Sequence, residues 1–148
     1  MSNEQERVIC AMSGGVDSSV AAKLLVDAGY DVMGVTMKLF DSDGVILEEG
    51  SRTCCSLEDV EDARAVAFGL GIPYQVFNYT DTFGKCVIYR FCQAYLDGRT
   101  PNPCIDCNRF LKFGALQQRR RELGFDYVAT GHYARRAYDE ETGRYLLL

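Results

Sequence analysis

Apolar positions along the chain fall into two alternating rhythms. "RVICAM" (7–12), "DVMGVTMKLF" (31–40), "IPYQVFNY" (72–79) and "FDYVATG" (125–131) are short, dense runs rich in β-branched and aromatic residues, and they read as strands. Between them the spacing lengthens to three and four. "DSSVAAKLLVDAG" predicts a helix stopped by Gly29, and "SLEDVEDARAVAFGLG" a second, with Ser56 as its N-cap, acids in its first turn and Gly71 as its stop. "DTFGKCVIYRFCQAYLDG" and "NRFLKFGALQQRRRELG" predict two more helices, with "RTPNPCIDC" (99–107) as the loop between them. "GRYLLL", the final six residues, has the look of a strand beginning.

Strand and helix in alternation predict an α/β fold: an open parallel sheet with helices on both faces. Ligands of such sheets lie beyond the carboxyl ends of the strands. That points to "SGGVDSS" (13–19), "KLFDSDG" (38–44) and "TGHYARR" (130–136) as the segments to search. No internal repeat or low-complexity tract interrupts the pattern.

A chain of 148 residues with 47% hydrophobic content fits one domain, which buries about 70% of the surface its unfolded form exposes. No apolar run approaches the roughly 20 residues of a membrane span, and the polar opening "MSNEQER" has no signal core behind it. The expected location is the cytoplasm, where seven cysteines are reduced thiols and point to metal or catalysis before a disulfide framework. The net charge of −5 argues against a generic nucleic-acid binder, although Arg109, Lys112, Arg119, Arg120, Arg121, Arg135 and Arg136 gather in the second half. The "RRR" run reads first as a solvated helix face.

"SGGVDSS" stands between a strand and a helix, where backbone N–H groups and the helix dipole hold an anion and Gly14 and Gly15 allow close approach. The Walker pattern is absent and no lysine stands where it would reach a terminal phosphate, which counts against a kinase or GTPase. Ser13, Ser18 and Ser19 offer hydroxyl donors. Asp17 beside a phosphate calls for a divalent cation between them, and Mg²⁺ suits carboxylate and phosphate oxygens.

In "TPNPCIDCN", Pro101 and Pro103 stiffen the loop, and Asn108 or Asp106 is placed to cap the following helix. Cys107 then stands at a helix N-terminus, which lowers a thiol's pKa and makes it the better nucleophile of the pair. Three roles remain open for Cys104/Cys107: sulfur chemistry, a metal or iron–sulfur site with Cys54 and Cys55, or structure. Cys10, Cys86 and Cys92 read as small core residues. His132, the single histidine, is a weaker candidate for a base or a pocket wall.

"SGGVDSS" resembles the signature of the PP-loop ATP pyrophosphatases, whose fold is adenine nucleotide alpha-hydrolase-like. With "GVTMKLF", "CCSLEDVEDAR", "GRTPNPCIDCNRFLKFG" and "DYVATGHYAR" in the same order, nearly the whole chain resembles the tRNA uridine 2-sulfurtransferases, the tRNA-specific 2-thiouridylase family. The resemblance implies ATP-dependent 2-thiolation of a wobble uridine: the C2 oxygen is adenylated, and a persulfide sulfur then replaces AMP. It implies ATP contacts at Ala11, Met12, Ser13, Gly14, Gly15, Val16, Asp17, Ser18, Met37 and Gly131. Target-base contacts fall on Asn102, Pro103 and Cys104, and the nucleophile is Cys107. ATP with Mg²⁺, tRNA and a sulfur-relay donor protein are the implied cofactors and partners, with no membrane.

Two departures accompany it. Many members carry an acid where this chain has Cys104, so "PCIDCN" makes a CxxC, and some sulfur-transfer relatives hold an iron–sulfur cluster on three cysteines. The family also has a second essential cysteine further along, and central and C-terminal tRNA-gripping domains, all beyond Leu148. These 148 residues are therefore expected to be a PP-loop catalytic domain that binds ATP weakly or not at all productively and does not thiolate tRNA unaided.

Overall fold

The computed structural model describes residues 5–40 and 57–148. Ser56, Cys54 and Cys55, read above as a helix cap and a second thiol pair, lie outside the described residues, as does most of "KLFDSDG".

Four parallel strands form the sheet: β1 (Arg7–Ala11), β2 (Asp31–Lys38), β3 (Tyr74–Asn78) and β4 (Tyr127–Ala129), in the order β3-β2-β1-β4. Ile9 of β1 stands between Met33 of β2 and Val128 of β4, so the two strands with the densest apolar runs occupy the middle. A strand covered on both faces reads as a continuous apolar run rather than an alternating one. β2 behaves so, with six consecutive buried residues from Val32 to Met37.

Period-two alternation sorts these strands between two cores. Ile9, Met33, Val35, Met37 and Phe77 join Val87, Leu111 and Leu116 on one face; Cys10, Met12 and Val32 join Ala22, Ala63 and Ala67 on the other. The second face takes α1 (Val16–Asp27) and α2 (Leu57–Leu70), whose alanines let helix and sheet approach closely. The fold expected from the sequence, an open parallel sheet with a helical layer on each face, is the fold observed.

The other layer is less regular. Helix α3 (Thr80–Phe83) runs through a π-helical stretch (Gly84–Ile88) into α4 (Tyr89–Leu96). A second helical rod begins with α5 (Pro103–Cys107), passes through a longer π stretch (Asn108–Ala115) and ends as α6 (Leu116–Glu122). Neither π stretch is legible in the spacing of apolar residues. Val87 and Leu111, both almost fully buried, fix the two rods to the sheet, and an Arg90–Asp106 ion pair of 3.1 Å ties one rod to the other.

"RTPNPCIDC" is helical from Pro103 onward, not loop to Cys107. Proline at the first helical position has its φ preset and no N–H to lose, and the Asn102 side chain accepts the Cys104 N–H at 3.1 Å. Asn102, rather than Asp106 or Asn108, is the cap. "GRYLLL" does open a strand: β6 (Arg144–Leu147) pairs antiparallel with β5 (Arg136–Asp139), an exposed hairpin whose first strand the apolar pattern did not announce.

Candidate functional site

The glycine loop closes on itself through one hydroxyl. Ser18, 4% exposed, accepts the Ser13 N–H at 3.2 Å and donates its own hydrogen to the Gly15 carbonyl at 3.1 Å. Ser19 donates to the same carbonyl at 2.9 Å. Two of the three serines expected to reach an anion therefore spend their protons shaping the turn. Gly15 caps α1 in extended geometry and no side chain covers the helix end, so the N-terminal dipole faces the space beyond β1.

Two glycines set how tightly this turn is held. Gly14 has φ of +76°, and a Cβ there would lie 2.6 Å from the Asp59 carbonyl oxygen of α2. At Gly131 a Cβ would lie 2.8 Å from the Ser18 nitrogen. The β4–β5 connection thus rests directly on the first turn of α1. Behind the loop, Tyr74 hydroxyl meets Thr36 Oγ1 at 2.7 Å, and Thr36 donates to the Met12 carbonyl at 2.8 Å, anchoring the end of β1 from within the core.

A cavity of about 360 Å³ opens at the carboxyl ends of the strands. One wall is the glycine loop with Ala11, Met12, Ser13, Gly15, Asp17 and Ser18; Val35, Met37 and Leu39 form the floor. Opposite stand Cys104, Cys107, Asn108 and Lys112 of the second rod, and Thr130, Gly131 and His132 close the third side. Sequence positions 11, 37, 107 and 131, far apart along the chain, meet here. Among the expected contacts, Gly14, Val16, Asn102 and Pro103 do not line the cavity: Gly14 turns the loop, Val16 is 77% exposed, and Asn102 and Pro103 start the helix that presents Cys104.

Cys107 is one turn and more into its helix, so the N-terminal position assigned to it belongs to Cys104 instead. The reason is the Pro103 start described above. Cys107 is half-buried and packs against the sheet core, whereas Cys104 is exposed; neither is in a disulfide. Cys10 is the buried core residue expected, its thiol pushed up to about 11 by burial, but Cys92 is exposed rather than core.

Electrostatics of the cavity rest on few groups. Asp17 is the one carboxylate among the described lining residues, and Tyr133 donates to it at 2.6 Å. That hydrogen bond, followed by the Asp17 charge, raises the Tyr133 phenol above its ordinary value of 10.0. His132 Nδ1 lies 2.8 Å from Thr130 Oγ1, and its ring packs on Phe113 at 5.5 Å. Desolvation, and then the Lys112 ammonium, hold the imidazole below its ordinary 6.5. Lys112, read from the sequence only as one of the basic residues of the second half, is brought by the second rod to the same cavity. Asn108, whose Oδ1 is buried and unpartnered, was likewise read only as a cap.

This donor set can be tested against the groups expected. A glycine loop at the cavity wall, a helix N-terminus with no side-chain cap hydrogen bond and a neighbouring lysine fit a nucleotide's phosphates. A single carboxylate beside them fits Mg²⁺, which takes one or two carboxylates together with phosphate oxygens. Among the described residues no three of His, Cys, Asp or Glu converge, and Cys54 and Cys55, the other thiols considered for an iron–sulfur site, lie outside them. Among them also, no helix is long and apolar enough to cross a membrane.

Comparison with known proteins places this arrangement. The chain is 57% identical over 141 residues to the tRNA-specific 2-thiouridylase MnmA of Desulforamulus reducens, covering 95% of this chain and 38% of that protein. It is 60% identical over 137 residues to the protein of the same name from Moorella thermoacetica, covering 93% of this chain and 38% of that one. It thus spans about two fifths of the length of these curated relatives. Among solved structures, a predicted tRNA methyltransferase subunit from Methanocaldococcus jannaschii superposes with a TM-score of 0.55 at 23% identity, over 86% of this chain and 53% of that one. A glutamine-dependent NAD⁺ synthetase from Acinetobacter baumannii, solved with ADP, gives 0.54 at 20% identity, over 82% of this chain and 21% of that one. These two likenesses concern the fold. Residues 6–148 match the profile of the tRNA methyl transferase HUP domain, and the chain belongs to that family.

Proposed function

We propose that this chain is the ATP-using part of a tRNA-specific 2-thiouridylase, which replaces the C2 oxygen of a wobble uridine by sulfur. The observation that carries the reading is the single cavity joining the glycine loop to Cys104 and Cys107. The curated relatives that the chain matches at 51–60% identity bear the thiouridylase name. The family's label speaks of methyl transfer, but thiols facing an anion cradle serve sulfur chemistry, whereas a methyl donor has no need of them.

In this reading the uridine C2 oxygen attacks the α-phosphorus of ATP and pyrophosphate leaves. The glycine loop holds the departing phosphates, and Mg²⁺ between them and Asp17 would supply further charge neutralisation. C2 is then activated, because its oxygen departs as part of AMP. The terminal sulfur of a cysteine persulfide forms the C2–S bond as the C2–O bond breaks. Cys107 thiolate attacks the inner persulfide sulfur, the S–S bond breaks, and the thiolated base leaves while Cys107 ends in a disulfide. A thiol reductant restores it. Asn102, Pro103 and Cys104 shape the edge where the base enters, and Ala11 to Ser18, Met37 and Gly131 take the nucleotide. The reading implies a cytoplasmic enzyme whose partners are tRNA and a protein that delivers persulfide sulfur.

The test is nucleoside mass spectrometry on tRNA incubated with the full protein, ATP, Mg²⁺ and a persulfide donor. Wild type is expected to yield 2-thiouridine. Cys107→Ser is expected to abolish it while tRNA-dependent pyrophosphate release persists. A methylated base, or thiolation undiminished in Cys107→Ser, overturns the proposal.

A further inference from the structure

The cysteine wall holds a charge that the reading above leaves without a task. Lys112 is half-buried, lines the cavity, and forms no ion pair with an acid among the described residues. Other cations of the second half are occupied elsewhere: Arg90 pairs with Asp106, Arg119 with Glu122, and Arg109 stacks on Phe110 at 5.3 Å. Among the described lining residues no other lysine or arginine is present. Partly burying an ammonium costs free energy unless a counter-charge meets it. Among the described residues no acid supplies that counter-charge as an ion pair, and a bound anion would supply it.

Helix geometry determines which part of the ligand. Lys112 follows Cys107 by five residues, a spacing that an α-helix turns to different sides. Both stand within or at the edge of the π stretch, whose i to i+5 bonds bring residues five apart nearer to one face than an α-helix does. The π turn therefore puts ammonium and thiol on the same wall. The far wall, at the open end of α1, suits the terminal phosphates. The phosphorus under attack must lie between that loop and the incoming base and sulfur, on the side of Cys107.

We propose that Lys112 is a further catalytic residue that contacts the α-phosphate of the bound nucleotide and neutralises the charge AMP gains as it leaves. The proposal rests on the preceding reading that the cavity takes an adenine nucleotide. His132, on the neighbouring wall, is held below its ordinary basicity by desolvation and then by the Lys112 charge, in keeping with both lining one cavity. AMP and adenosine differ only in the phosphate at issue, which makes them the natural probes.

The experiment measures binding of ATP with Mg²⁺, of AMP and of adenosine to the full protein by calorimetry, in wild type, Lys112→Gln and Lys112→Arg. Lys112→Gln is expected to weaken ATP and AMP by about 10- to 100-fold, the range for hydrogen bonds to charged groups, and to leave adenosine unchanged. Lys112→Arg is expected to recover most of the loss, and circular dichroism melts check that all three proteins fold. AMP affinity unaltered in Lys112→Gln, or an equal loss for adenosine, overturns the assignment while nucleotide binding by wild type leaves the parent reading standing. Absence of adenine-nucleotide binding by wild type overturns both.

Discussion

Tyr133 and Asp17, 116 residues apart, are joined by a 2.6 Å hydrogen bond from phenol to carboxylate. The bond ties the β4–β5 connection to the first turn of α1 at the mouth of the cavity, next to the close approach of Gly131. It exists only while the phenol is protonated, and the Tyr133 pKa is raised above 10.0 by this bond. The sign follows: its contribution is complete below pH 10 and is lost as pH rises through the folded value. In Asp17→Asn the Tyr133 ring, followed by NMR through an alkaline titration, is expected to ionise at lower pH than in wild type. An unchanged midpoint would break the assignment.

Gly131→Ala places a methyl 2.8 Å from a backbone nitrogen that cannot rotate away. Overpacking of this kind costs about 1–3 kcal/mol. Because the displaced atoms belong to the helix end facing the cavity, nucleotide affinity is expected to fall together with stability. Urea denaturation and calorimetry on the same variant check both.

Asn102→Ala removes the cap from the rod that presents the cysteines and is expected to cost about 1 kcal/mol in urea denaturation. Asn102→Asp, which keeps the accepting oxygen, is expected to recover most of it. Equal losses in the two variants would mean that the side chain is not acting as a cap.

Cys10 gives stability a pH dependence at the alkaline end. Its thiol is raised from 9.0 to about 11 by burial, so the neutral form favours the fold. The stabilisation is whole below pH 9 and is lost as pH climbs through 11; a shift of this size corresponds to about 2–3 kcal/mol. Urea midpoints of wild type and Cys10→Ala are expected to run parallel to pH 9 and then converge.

Alkylation separates the thiols by place. Cys104 and Cys92 are exposed and are expected to react with iodoacetamide first, whereas Cys10 resists. ATP is expected to slow modification of Cys104 and Cys107, which line the cavity, and to leave Cys92 unaffected. Peptide mass spectrometry reads each site; protection of Cys92 alone would contradict the placement of the nucleotide.

Sequence and structure agree most where one local rule governs. Dense apolar runs become parallel strands because both faces of β1 and β2 are covered, and glycines with positive φ at 29 and 71 end their helices as expected. The glycine loop was legible for the same reason: strand, glycines and helix follow one another within a dozen residues. What could not be read depends on distant packing. The helix start moved from Asn108 to Pro103 because capping by Asn102 outweighs the loop-like look of two prolines. Lys112 lines the cavity beside Cys107 from within a π turn, which a 3.6-residue period does not reveal.

The strand order sets when the cavity can exist at all. β4 pairs with β1 across more than a hundred residues, and Thr130 to His132 follow directly behind it. Such distant pairing slows folding because loop closure precedes its reward. A nascent chain that has released only β1 to β3 holds a glycine loop without its third wall. Substitutions that weaken β4 docking, at Phe125 or Val128, are therefore expected to delay the appearance of the pocket more than that of helical structure.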